Sequence, residues 1–156
     1  MKKRINAKLL LIAAVLSGLC TLVASAQTKP DFSGTWKMNA AKSKFERGGP
    51  DGIIIKFEQK DGGIREVLTL TGGNGERSVE AKYSADGKET DVSMGPENAK
   101  GSIKWEGETL VIAWKNGERS STRKCKLSAD GKTMTLEVVQ TGDNGTVTDL
   151  VVFDKQ

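Results

Sequence analysis

The sequence contains no histidine at all. That single absence removes the usual general base, the Ser-His-Asp triad, histidine-ligated zinc and a histidine-held haem. Cysteine is scarce too, with Cys20 and Cys125 only. Cys20 lies in an apolar N-terminal run expected to be removed. The remaining thiol can form neither an intramolecular disulfide nor a thiolate zinc site. Long apolar runs are missing beyond Leu9–Val23, and no segment carries a sustained i, i+3, i+4 apolar pattern, so helices are not expected beyond a short turn over 39–45. Paired carboxylates that would converge on a glycosidic bond are not evident either. Gly72-Gly73-Asn74-Gly75 has no helix after it, so it reads as a turn and not a phosphate cradle. The expectation is a protein that is not an enzyme and carries no cofactor or metal.

Lys2, Lys3, Arg4 and Lys8 precede the apolar run, and Ala24-Ser25-Ala26 follows it. This is the pattern of a cleaved export signal over 1–26, with cleavage between Ala26 and Gln27 and one domain over 27–156. At about 15 residues the run is shorter than the roughly 20 needed to span a bilayer, so no stable membrane anchor remains after cleavage. Leu19 stands where a lipoprotein signal wants a small residue, which argues against acylation of Cys20. The location implied is periplasmic or secreted. Cleavage also changes the charge. The full chain has 24 Lys and Arg against 20 Asp and Glu, and the signal takes four of the basic residues and none of the acidic ones. The mature domain is therefore neutral overall, which withdraws the electrostatic support for a nucleic-acid partner.

What is abundant is turn chemistry. Asp61-Gly62-Gly63, Asn74-Gly75, Asp86-Gly87, Gly95-Pro96, Gly107, Asn116-Gly117, Asp130-Gly131 and Asn144-Gly145 punctuate the chain, most of them 9–14 residues apart. Asn-Gly and Asp-Gly accept the positive φ that tight hairpins demand. Between these turns apolar residues alternate with period two: Ile53, Ile55, Phe57; Ile64, Leu68, Leu70; Val79, Ala81, Tyr83; Ile103, Trp105; Leu110, Ile112, Trp114; Met134, Leu136, Val138; Val147, Val151, Phe153. The pattern predicts an all-β antiparallel up-and-down barrel of about 8–10 strands, because closure removes exposed sheet edges; a β-sandwich is the alternative. Ser84-Ala85-Asp86-Gly87-Lys88 recurs 44 positions on as Ser128-Ala129-Asp130-Gly131-Lys132. A calcium loop needs further oxygen ligands at fixed spacing, so this reads as one hairpin turn used twice.

Polar residues that share the apolar phase are candidates for an interior site. Glu66, Arg77, Arg123 and Asp149 fall in that phase, as do Tyr83, Trp105 and Trp114. Buried charges must be paired or solvated, so two acids and two bases could pair across a cavity and orient a ligand head group, with Arg123 the leading contact for an anion. Barrel-end positions of no consequence are the plainer alternative. Cys125, between Arg123 and Leu127, reads as a small buried hydrophobe. Small in-phase residues such as Ala81, Thr90 and Ser121 would underfill a barrel interior.

Asp31-Phe32-Ser33-Gly34-Thr35-Trp36-Lys37 adds a family likeness. Gly34-x-Trp36 resembles the motif that opens the first strand of lipocalins and, as GTWK, of the intracellular fatty-acid-binding proteins. The longer stretch from Pro30 to Phe45 resembles the start of secreted bacterial proteins described as lipocalin-like. The resemblance implies a barrel in which Gly34 lets the first strand bend and Trp36 closes one end. It also implies departures. The last strand carries neither the arginine that lipocalins stack on the tryptophan nor the Arg-x-Tyr clamp of fatty-acid-binding proteins, since Val151-Val152-Phe153 stands there. A helix-turn-helix lid has no room before Ile53. The function expected is an extracytoplasmic carrier for a small apolar or amphipathic molecule. The alternative is a protein-interaction module, an inhibitor or envelope scaffold with a solid core; the sequence names no protein partner.

Overall fold

The computed structural model describes residues 28–84, 86–93 and 98–156. The predicted signal segment and cleavage point, and Gly95-Pro96, lie outside these residues. Ten strands are present: β1 (Gly34–Met38), β2 (Gly52–Lys60), β3 (Gly63–Gly72), β4 (Gly75–Tyr83), β5 (Thr90–Ser93), β6 (Asn98–Glu106), β7 (Thr109–Asn116), β8 (Arg119–Leu127), β9 (Thr133–Gly142) and β10 (Gly145–Lys155). They form one sheet in the order β4-β3-β2-β1-β10-β9-β8-β7-β6-β5, with every neighbouring pair antiparallel. The sheet curls until β4 meets β5, giving a nearly closed barrel in place of the two layers a sandwich requires. No ladder joins these last two strands; the Thr90 hydroxyl bridges them by donating to the Lys82 carbonyl at 2.8 Å. Gly101 keeps the seam tight, since a Cβ there would sit 2.9 Å from Cε1 of Tyr83 and 3.0 Å from Cγ1 of Val92.

The expected alternation appears directly in burial. On β2, Ile53, Ile55 and Phe57 are buried while Ile54, Lys56 and Glu58 face water. The hairpin turns follow their chemistry: Asp61 and Gly62 between β2 and β3 take φ of 51° and 77°, as a type I′ turn requires. The serine, aspartate and lysine of the repeated segment make the same contacts in both copies. Asp86 Oδ1 accepts from the Ser84 hydroxyl at 2.7 Å and from the Lys88 amide at 3.1 Å; Asp130 Oδ1 accepts from Ser128 at 2.6 Å and from the Lys132 amide at 3.0 Å.

One end of the barrel is solid. Trp36 is fully buried, and its indole Nε1 donates to the Phe32 carbonyl at 2.8 Å. Phe32 packs edge-on against Phe57, with centroids 6.4 Å apart, and lies 5.9 Å from Trp105. The last strand lacks the expected arginine, and its Lys155 stands over the tryptophan instead: Lys155 Nζ lies 5.1 Å from the Trp36 ring centroid. Gly34 makes this possible twice over. Its φ is +131°, and a Cβ there would stand 2.8 Å from the Lys155 Cε.

The other end is spanned by residues 39–51, a strap between β1 and β2. It begins with a single turn in which the Ser43 amide donates to the Asn39 carbonyl at 3.1 Å. It then runs beside β10. Lys44 and Leu150 exchange backbone hydrogen bonds of 2.7 and 2.9 Å, and the Ser43 hydroxyl accepts from the Val152 amide at 3.0 Å. Val152 has the outward phase of its strand and is nonetheless buried beside the strap.

Candidate functional site

Beneath the strap the barrel encloses a cavity of about 340 Å³. Its walls come from alternate residues on seven strands, as period-two geometry dictates. Ile53 and Ile55 (β2), Leu68 and Leu70 (β3) and Val79 (β4) form one side; Leu136 and Val138 (β9) with Val151 and Phe153 (β10) form the other. Trp114 and Ser121 stand near the hairpin that joins β7 and β8, and Phe45, Gly48 and Pro50 of the strap cover the opening. The lining is chiefly aliphatic, because the in-phase residues of this half are leucine, isoleucine and valine. Their branched side chains are too short to meet across the barrel.

At the floor, where hollow and solid halves meet, sits a buried polar network. Arg123 Nη1 donates to Glu66 Oε1 at 2.5 Å and Nη2 to Oε2 at 2.7 Å, a bidentate pair. The Tyr83 hydroxyl donates to Glu66 Oε2 at 3.2 Å and accepts from Arg123 Nη2 at 3.3 Å. Glu66, Tyr83 and Arg123 are 2%, 4% and 8% exposed. Burial works against the Arg123 charge, and the adjoining Glu66 carboxylate overcomes that, holding the guanidinium above its ordinary range. Burial likewise raises the Tyr83 hydroxyl, so it remains a neutral phenol. Arg123 Nε is buried with no hydrogen-bond partner among the described residues. Behind the pair, burial pushes the Cys125 thiol up to about 12, against the pull of Arg123. A thiol so held is a poor nucleophile at neutral pH.

The sequence candidates therefore divide into three groups. Arg123, Arg77, Asp149 and Trp114 line the cavity. Glu66 and Tyr83 stand behind Arg123 and are bonded to it. Trp105 is set apart at the solid end against Phe32, with Lys29 Nζ 5.5 Å from its ring. The four in-phase charges do not pair among themselves as a set. Glu66 takes both Nη groups of Arg123, while Asp149 turns to the strap and accepts from the Glu46 amide at 2.9 Å. Four lining residues, Phe45, Gly48, Pro50 and Gln140, escaped the sequence reading. Gln140 continues the Leu136–Val138 phase and was detectable; Phe45, Gly48 and Pro50 lie in the strap, which has no periodicity to read.

No protein-family model matches this sequence, and no curated protein does. Solved structures do match. The zebrafish ileal bile acid-binding protein complexed with cholic acid aligns at 21% identity and a TM-score of 0.56, covering 80% of this chain and 98% of its own. A secretory abundant heat soluble protein of Ramazzottius varieornatus gives 14% identity and a TM-score of 0.61 over 83% and 98%. The Schistosoma mansoni fatty acid binding protein in complex with arachidonic acid gives 17% and 0.54 over 80% and 96%. The likeness is one of fold. Identities this low carry the barrel across and leave the chemistry of the interior to be argued from the residues themselves.

Proposed function

We propose that this protein is an extracytoplasmic carrier that holds a small apolar or amphipathic molecule inside its barrel. One observation carries the reading: an aliphatic cavity of about 340 Å³ under the strap. Its size is at the lower end of the roughly 300–1,000 Å³ typical of small-molecule sites, and its composition, apolar walls with a few fixed polar groups, is theirs too. An interaction module with a solid core has no use for such a void, which forfeits dispersion contacts on every side. The structural neighbours complexed with cholic acid and with arachidonic acid support the reading by showing that barrels of this shape accept such molecules. The export pattern of residues 1–26 supports the location, and the buried Cys125 suits a compartment in which exposed thiols oxidise.

The test is native mass spectrometry and solvent extraction of the protein purified from the envelope of its own cells. A co-purifying small molecule of one mass is expected. Protein that is repeatedly empty and instead captures one polypeptide would transfer the function to the outer surface.

A further inference from the structure

From the charges around the cavity we infer that the ligand is an amphiphile with a negatively charged head, bound tail-inward, with its head at the mouth against Arg77. This rests on the carrier reading and adds the class of ligand and its direction.

Three charged residues line the cavity: Arg77, Arg123 and Asp149. Two are already committed. Both terminal nitrogens of Arg123 are held by Glu66, and Asp149, 8% exposed, accepts from the strap amide of Glu46. Arg77 is different. It lies on β4 two residues past Gly75, faces Leu70 of β3 in the ladder and stands exposed at the rim. No hydrogen bond or ion pair engages it among the described residues.

This asymmetry sets a direction. A carboxylate driven to the floor would lose its water and arrive beside Glu66, a like charge, at a guanidinium whose charge is already balanced. The same carboxylate at the rim keeps its hydration and meets an uncompensated cation. The aliphatic side chains below Arg77, Leu70 and Val79 first among them, then receive the tail. Asp149 is carried on β10 and Arg77 on β4, with β3, β2 and β1 between them in the sheet, and one oxygen of its carboxylate is taken up by the Glu46 amide.

The experiment uses the signal-free domain with [1-¹³C]laurate and with 1-dodecanol as the uncharged match. Bound laurate is expected to show a carboxyl ¹³C resonance that titrates in the ordinary carboxylate range. Arg77→Gln should weaken laurate roughly threefold to fivefold, the worth of an exposed ion pair, and leave dodecanol unchanged. Raising the salt concentration should weaken laurate in the wild type and not in the variant. A bound carboxyl that does not titrate, or equal effects of Arg77→Gln on both probes, would overturn the inference and leave the carrier reading intact. Failure of both probes to bind would overturn the inference together with that reading.

Discussion

The two ends of this barrel are built from the same alternating strands and arrive at opposite results. At one end Phe32, Trp36, Phe57 and Trp105 meet across the interior and exclude everything else. At the other, leucine, isoleucine and valine occupy equivalent inward positions and leave a hollow. Strand geometry sets which residues face inward; side-chain reach decides whether the inside is filled. The Glu66–Arg123 pair marks the border, and it is the least forgiving feature of the molecule, because each partner is tolerable in the interior only while the other is there.

The contrast can be broken first by truncation. Trp36→Ala should cost about 3–5 kcal/mol, whereas Leu70→Ala, half-buried beside space already empty, should cost no more than about 2 kcal/mol. Urea unfolding midpoints compare the two, and equal losses would erase the distinction between the ends. At the border, Glu66→Ala should cost a similar 3–5 kcal/mol by stranding Arg123. The double variant Glu66→Leu with Arg123→Met should recover most of that; if it stays as unstable as the single variant, packing and not charge is at issue.

A third prediction concerns pH. The thiol of Cys125 is raised by burial from 9.0 to about 12. Below 9 both folded and unfolded chains hold the proton and stability is complete. Above it the unfolded chain releases the proton first, so stability falls as pH climbs toward 12, by at most about 1.4 kcal/mol per unit from this group. Tyr83, raised in the same direction, steepens the decline above its ordinary value of 10.0. Cys125→Ala should flatten the curve between 9 and 10; an unchanged curve would show that the thiol is not dry. The smallest effect on stability is expected from Ser121→Leu, which puts a side chain into the hollow and should shift stability by less than about 1 kcal/mol. Laurate binding should fall at least tenfold, and undiminished binding would place the ligand elsewhere.

How much of this was legible beforehand depends on what periodicity can carry. Alternation identified the inward face of every long strand and turn chemistry marked the hairpins, because both are local; Trp36 as a closing residue came only from the Gly34-x-Trp36 resemblance. It gave Glu66, Arg77, Arg123 and Asp149 as inward for the same reason. What period two does not encode is height along the barrel axis. Trp105 and Trp114 have the same inward phase, yet one packs the solid end and the other lines the cavity. Nor does it encode partners: Glu66 and Arg123 are 57 residues apart and meet only because the sheet closes on itself. The strap was the least readable part. Its position comes from hydrogen bonds to β10 and the partial burial of Phe45, and neither leaves a repeat in the sequence.

The adjacency of β1 and β10 also orders events in time. Asn39 Nδ2 bonds Asp154 Oδ2 at 2.7 Å across 115 residues, and Lys155 on β10 lies over Trp36 on β1. While the polypeptide is still being made, the strand that seats beside β1 does not yet exist, so the early hairpins must wait with their oily side uncovered. Contacts this distant in sequence make for slow, late closure. A chain shortened by even its final strand would therefore be held as an open, sticky ribbon, a form that chaperones and proteases recognise.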